Sequence, residues 1–231
     1  MRRAPQIDIA AYGQGVVHFL KHLSILAGTL CAGAIALLLD YLGQTMTDPI
    51  GNVGAGIYSA VGQIVFLCAF GVAIVQANNV WRGRGGSFAQ AWQESRGKLG
   101  NIALAAIGFT FVIWIAAYIG ATLGLGPLSL VLQIIATFFL IYTIPAAAIG
   151  GVPGGMALSA SIRAVRANPA SAAVLTIVWL LLEQVPNLAA LSLPSGEFAN
   201  VLNVVVQAIL FGYLAFPVAK QYDDVAFRAY W

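Results

Sequence analysis

The sequence predicts an all-α integral membrane protein in which six transmembrane helices form three helical-hairpin repeats, each preceded by a cytoplasmic interfacial amphipathic helix. Three observations carry this expectation. Of 231 residues, 60% are hydrophobic and 8% charged, and the mean hydropathy of +0.87 is far above that of a soluble domain. Six apolar stretches approach the roughly 20 residues that cross a bilayer. All 11 basic residues then fall on one side of a six-span arrangement.

The first element is a basic lead-in from Met1 to Leu23, with Tyr12, Val16, Phe19 and Leu23 as an apolar stripe and His18, Lys21 and His22 on another face. The first span lies near Ser24 to Leu42, with Asp40 marking its far end. A loop with Asp48, Pro49 and Gly51 leads to a second span near Ile57 to Ala77, and Trp81, Arg82 and Arg84 follow at the interface. Phe88 and Trp92, four apart, and Arg96 form a second interfacial helix.

The third span covers about Ile102 to Leu123, with Ala116, Gly120 and Gly124 as a small-residue stripe for close packing. After the turn at Gly124 to Pro127 comes a fourth span, near Leu128 to Ile149, carrying Gln133, Thr137 and Pro145. The run Gly150 to Gly155 is a hinge.

Met156 to Ser171 is the most informative segment. Leu158, Ile162 and Val165 share one helical face, and Ser159, Arg163 and Arg166 repeat the spacing about 100° around the helix. Asn168 is a candidate N-cap and Pro169 suits the first turn of a new helix. The fifth span follows, near Ala172 to Leu193, interrupted by Glu183 and Pro186; Pro194, Ser195 and Gly196 then turn the chain into the sixth, near Phe198 to Ala219. Lys220 to Trp231 reads as a polar, aromatic tail. The whole is one membrane domain, 1–231, with pseudo-repeats at about 7–80, 86–150 and 156–219.

Orientation follows from Arg2, Arg3, Lys21, Arg82, Arg84, Arg96, Lys98, Arg163, Arg166, Lys220 and Arg228, which share one side, while the opposite loops hold Asp48 and Glu197. The positive-inside rule puts both termini in the cytoplasm and the protein in a bacterial inner membrane. Nucleic-acid binding is not expected, because no basic surface interleaved with aromatics is present.

Glu183 is the one carboxylate placed well inside a span, where an ionisable group marks a candidate functional site. Gln63, Gln133 and Asn203 are spaced 70 and 70, and Thr137 and Gln207 are likewise 70 apart. Glu183 lies 12 residues before the turn at Ser195 and Gln207 lies 12 after it, so the two share a depth. Three hairpins about an axis normal to the membrane would bring Gln63, Gln133, Thr137, Glu183, Asn203 and Gln207 to one polar pocket. The plainer alternative is that the amides bond between helices, at about 0.6 kcal/mol each. No second titratable group is expected near Glu183.

Other motifs carry less. Cys31 and Cys68 read as small core residues within spans. His18 and His22 lack a third ligand or an adjacent Glu, so no metal site is expected. Gly83, Gly85 and Gly86 follow no strand and give no phosphate loop. No nucleophile, base and acid stand in a usable set, so neither an enzyme nor a cofactor is expected. Trp92, Arg96, Arg163 and Arg166 face lipid headgroups or a partner.

The segments Phe88 to Asn101, with Ala91, Trp92 and Arg96, and Met156 to Ser171, with Ser161, Ile162, Arg166, Asn168 and Pro169, carry a resemblance. The chain resembles bacterial six-span proteins that include the membrane domain attached to some glycerophosphodiester phosphodiesterases and its stand-alone relatives. Hydrolysis in the phosphodiesterases belongs to a separate soluble domain, so the resemblance implies a membrane module and supplies no catalytic residues. The functional expectation is a membrane scaffold or accessory subunit that contacts lipids or a larger membrane complex. The alternative is a transport component: a permease half working with a nucleotide-binding subunit, or a small carrier using the pocket around Glu183.

Overall fold

The computed structural model describes residues 7–45, 51–124, 126–191 and 197–229. Asp48, Pro49, the turn residues Pro194 to Gly196, and Arg2 and Arg3 lie outside the described residues. Among the described residues all regular structure is helical. Helix α1 (Ala10–Lys21) passes through a tight turn at Leu23–Ile25 into α2 (Leu26–Gln44), and α3 (Gly51–Trp81) returns beside it. Next come α4 (Phe88–Arg96), α5 (Leu99–Thr122), α6 (Gly126–Leu140) and α7 (Thr143–Ala148). The chain continues through α8 (Ala157–Ala167), α9 (Pro169–Leu191) and α10 (Glu197–Ala229).

Five segments are long and apolar enough to cross a membrane: Leu23–Gly43, Gly56–Trp81, Leu99–Gly120, Gly126–Ala148 and Ala199–Ala226. A sixth results if the segments Gly154–Ala167 and Pro169–Val185, bent by 115° at their junction, count as one span. Helix α5 turns Leu104, Ile107, Phe111, Trp114 and Tyr118 outward, an apolar stripe that suits lipid rather than water. These are the helices of a multi-pass membrane protein.

Helix α3 is the centre. It packs on α2, α5, α7 and α10, and its Phe70, Ile74, Val75 and Ala77 are sealed from the surroundings. The α2–α3 hairpin is tight because Gly62 faces Ala36; a Cβ on Gly62 would sit 3.2 Å from the Ala36 backbone. Similarly, Gly120 lies against the backbone of Ser129, and Gly124 turns the chain into α6 with φ +66°.

The corner between α8 and α9 forms as its sequence dictates. Asn168 Oδ1 accepts a hydrogen bond from the Ser171 amide at 3.2 Å, and Pro169 begins α9, where no amide hydrogen is required. Ser87 caps α4 in the same way through the Gln90 amide.

Four expectations need correction. The fourth span is two helices, broken at Ile141 and Tyr142, because Pro145 has no amide hydrogen for the Ile141 carbonyl and its ring displaces it. Ser161 on α8 stitches the break: its hydroxyl donates to the Phe139 carbonyl at 2.8 Å and accepts from the Tyr142 amide at 3.0 Å. Helix α9 runs from Pro169 to Leu191 without interruption at Glu183 or Pro186.

The polar tail is helical as far as Ala229 and packs on α1 and α8. Arg82 pairs with Asp223 at 2.7 Å, and the Gln221 amide donates to the Tyr12 hydroxyl at 2.7 Å. Finally, α1 turns Ala11, Gly15 and Phe19 inward and leaves Val16 exposed, as is Leu23 in the turn that follows. Gly15 allows close approach to α10, where Phe216 and Pro217 lie 3.4 Å from the place of a Cβ.

Candidate functional site

The spans end at two contrasting faces. One, the basic end, is where α3 finishes and α5 begins, with Arg82, Arg84, Arg96 and Lys98. The other is the turn end, where α2 passes to α3, α5 to α6 and α9 to α10.

A cavity of about 380 Å³ lies toward the turn end, with walls drawn from α2, α3, α5, α6, α9 and α10. Gln63, Gln133, Thr137, Glu183 and Gln207 line it together. Positions 70 apart recur in the lining, as Gln63 and Gln133, and as Leu67, Thr137 and Gln207. Asn203 does not line it; it is half-buried on α10, one turn nearer the turn end than Gln207. Thr137 is buried, whereas Gln63, Gln133 and Gln207 are half-buried and Glu183 is exposed.

The side chains are held differently. The Gln133 amide donates to Ser129 Oγ at 3.1 Å and to the Ser129 carbonyl at 3.3 Å, while Ser129 Oγ donates across the hairpin to the Ala117 carbonyl. Trp179 lies one turn before Glu183 on α9, and both line the cavity. Among the described residues no hydrogen bond joins Gln63 or Gln207 to a neighbour, so both amides face the cavity with their bonding capacity free.

Asp40 lines the same cavity, as do Ser59 and Gln184. The expectation of a lone titratable group is therefore corrected: two carboxylates, on α2 and α9, face one space. The signal was present in the sequence. Asp40 and Ser59 are nearly equidistant in sequence from Pro49, so the depth count that pairs Glu183 with Gln207 also brings Asp40 inside. Asp40 additionally borders a groove between α2 and α10, lined by Leu37, Leu38, Tyr41, Asn200 and Val201.

The interfacial residues are placed apart from this cavity. Trp92 is exposed and stacks on Phe88 with ring centroids 6.4 Å apart; Arg96, Arg163 and Arg166 are exposed on α4 and α8. At the basic end a second cavity, about 370 Å³, is bordered by Asp8, Asn168, Ser171, Gln221 and Asp224. Nearby, burial pushes the Tyr12 hydroxyl up to about 12, partly offset by its bond with Gln221. His18 sits against Trp81 and Phe216, with ring centroids 4.6 and 6.1 Å away; burial, then His22 and Lys21, hold its pKa below the usual histidine value. Among the described residues no group of three His, Cys, Asp or Glu side chains could hold a metal ion.

Comparison with protein-family models, with curated proteins and with solved structures finds no match. The resemblance drawn from the segments around Trp92 and Arg166 therefore rests on those residues alone.

Proposed function

We propose that this protein is a small transport component of six spans, with α9 as the span beyond the five apolar ones, that binds a polar solute in the cavity between Asp40 and Glu183. The hairpins α2–α3, α5–α6 and α9–α10 surround the site. The basic end faces the cytoplasm of a bacterial inner membrane, in keeping with the positive-inside rule. The protein is not an enzyme: its carboxylates bind.

One observation carries this choice over a scaffold. Five of the polar residues anticipated from the sequence, joined by Asp40, face a shared void instead of bonding with one another. Polar and charged groups within a membrane are costly and persist where they line a pathway or hold a ligand. A scaffold would gain more from apolar contact. The accessory-subunit alternative draws its support from the exposed Arg96, Arg163 and Arg166, which suit anionic headgroups or a partner.

The test is solute binding by purified protein in lipid nanodiscs, using a panel of an amine, a neutral sugar, an amino acid and inorganic phosphate. Ser59 is an exposed lining residue, so Ser59→Phe fills the cavity without disturbing the core. Saturable binding that Ser59→Phe abolishes is expected. Absence of binding, with a stoichiometric protein partner retained in native mass spectrometry, would transfer the assignment to an accessory subunit.

A further inference from the structure

The cavity has an aromatic floor. On α3, Phe66 follows Gln63 by one turn; on α10, Phe211 follows Gln207; on α9, Trp179 precedes Glu183; on α5, Phe109 precedes Ile113. Helices α3 and α10 run toward the basic end while α5 and α9 run away from it, so all four offsets point the same way. Four helices thus each set one ring beneath the polar walls.

The rings touch. Phe211 meets Phe66 and Trp179 edge to face, each at 4.9 Å between centroids, and Phe109 lies 6.3 Å from Trp179. Phe70, one layer deeper, closes the floor at 5.5 Å from Trp179 and 5.4 Å from Phe211. Such packing satisfies the ring quadrupoles among themselves, and any ring face left toward the cavity is a negative surface.

Three features of this space favour a positive ligand. Asp40 and Glu183 supply negative charge, and among the described residues no Lys, Arg or His lines the cavity to neutralise it. The amides of Gln63 and Gln207 offer oxygen acceptors. The aromatic floor attracts a cation that has shed its water. An anion would meet two carboxylates, and a neutral solute would leave both uncompensated. A hydrated inorganic ion gains little from rings, whereas an alkylated nitrogen uses both the charge and the floor. The volume of about 380 Å³ lies within the range of small-ligand pockets.

Resting on the solute-binding reading, we propose that the cavity takes a small organic ammonium ion, its nitrogen between Asp40 and Glu183 and its alkyl groups on Trp179 and Phe211. The probe is choline, compared with its neutral isostere in which a quaternary carbon replaces the nitrogen, by calorimetry on the full chain in nanodiscs. Choline is expected to bind at least about tenfold more tightly than the isostere, the factor that one uncompensated charge contact commands. Asp40→Asn with Glu183→Gln should bring choline down to the isostere, and Asp40→Asn alone should move it part of the way, which covers poor folding of the double variant.

Equal affinity for the two probes, or choline binding indifferent to the carboxylate variants, overturns the proposal. A sugar or phosphate that binds and is expelled by Ser59→Phe, while choline does not bind, overturns the ammonium assignment and leaves the solute site standing. If no probe binds, both fall.

Discussion

The basic end and the turn end spend their polar side chains differently. At the basic end the amide donors are joined to neighbouring elements: the Gln76 amide, fully buried, donates to Ser24 Oγ at 2.9 Å and to the Gly86 carbonyl at 2.6 Å, while its Oε1 has no partner among the described residues. Asn79 donates to Glu94, Lys98 caps the Ala148 carbonyl at the end of α7, and Trp81 donates to the Phe216 carbonyl. Each bond links separate elements, and together they weld the interfacial helices to the spans. At the turn end, Asp40, Gln63, Glu183 and Gln207 face a void. A polar group spent on a neighbour stabilises a fold; one held toward a space is kept for something that enters it.

The contrast is testable by equivalent changes at the two ends. Gln76→Leu removes two buried hydrogen bonds and should lower stability by about 1–3 kcal/mol in thermal denaturation, with solute affinity nearly unchanged. Gln63→Leu should cost less than about 1 kcal/mol and yet weaken solute binding. Asn203→Leu, outside the cavity, should leave binding alone. If Gln63→Leu destabilises as much as Gln76→Leu, the two ends do not differ in kind.

A smaller effect is expected at the broken helix. Ser161→Ala leaves the Phe139 carbonyl and the Tyr142 amide without the hydroxyl that bridges them, at a cost of about 1–2 kcal/mol. Hydrogen exchange should show faster exchange at Tyr142 before any loss of global structure. An unchanged rate there would mean that packing alone holds the break.

The smallest effect concerns pH. The folded pKa of His18 is below its ordinary value of 6.5, so above that value it contributes no pH dependence. As pH falls through 6.5 the unfolded chain binds a proton that the folded chain resists, and stability declines until pH drops below the folded pKa. Denaturation midpoints should therefore fall on acidification in this window, and His18→Gln should flatten the trend. Equal slopes for the two proteins would remove His18 from the account.

Much of this was legible in the sequence, for reasons that also explain what was not. Hydropathy located the apolar stretches, because a bilayer sets their length. The Asn168–Pro169 corner was readable because capping is local chemistry. Counting along the sequence from Ser195 puts Glu183 and Gln207 at one depth, and both line the cavity. The stripe on α1 misled because lipid is as apolar as a large aliphatic side chain, so nothing forces the whole stripe inward. Beside lipid, Val16 and Leu23 turn outward while Ala11 and Gly15 meet the neighbouring helix. The same logic turns Ala91 and Ser95 on α4, and Ala160 and Ala164 on α8, toward the protein. Gln76 and Gln221 were not legible because each bonds to a partner outside its own element: Gln76 to Ser24 across 52 positions and Gln221 to Tyr12 across 209.

That last contact also sets an order of events during synthesis. Helix α1 leaves the ribosome well before its partner, because the α10 surface that receives Gly15 and Tyr12 is made about 200 residues later. At roughly 5–20 residues per second, α1 waits on the order of 10–40 s for its partner. During that interval its small-residue face has only lipid and solvent to meet. A nascent chain halted before α10 would keep that face uncovered, and with it a mark by which quality control can tell an unfinished copy from a finished one.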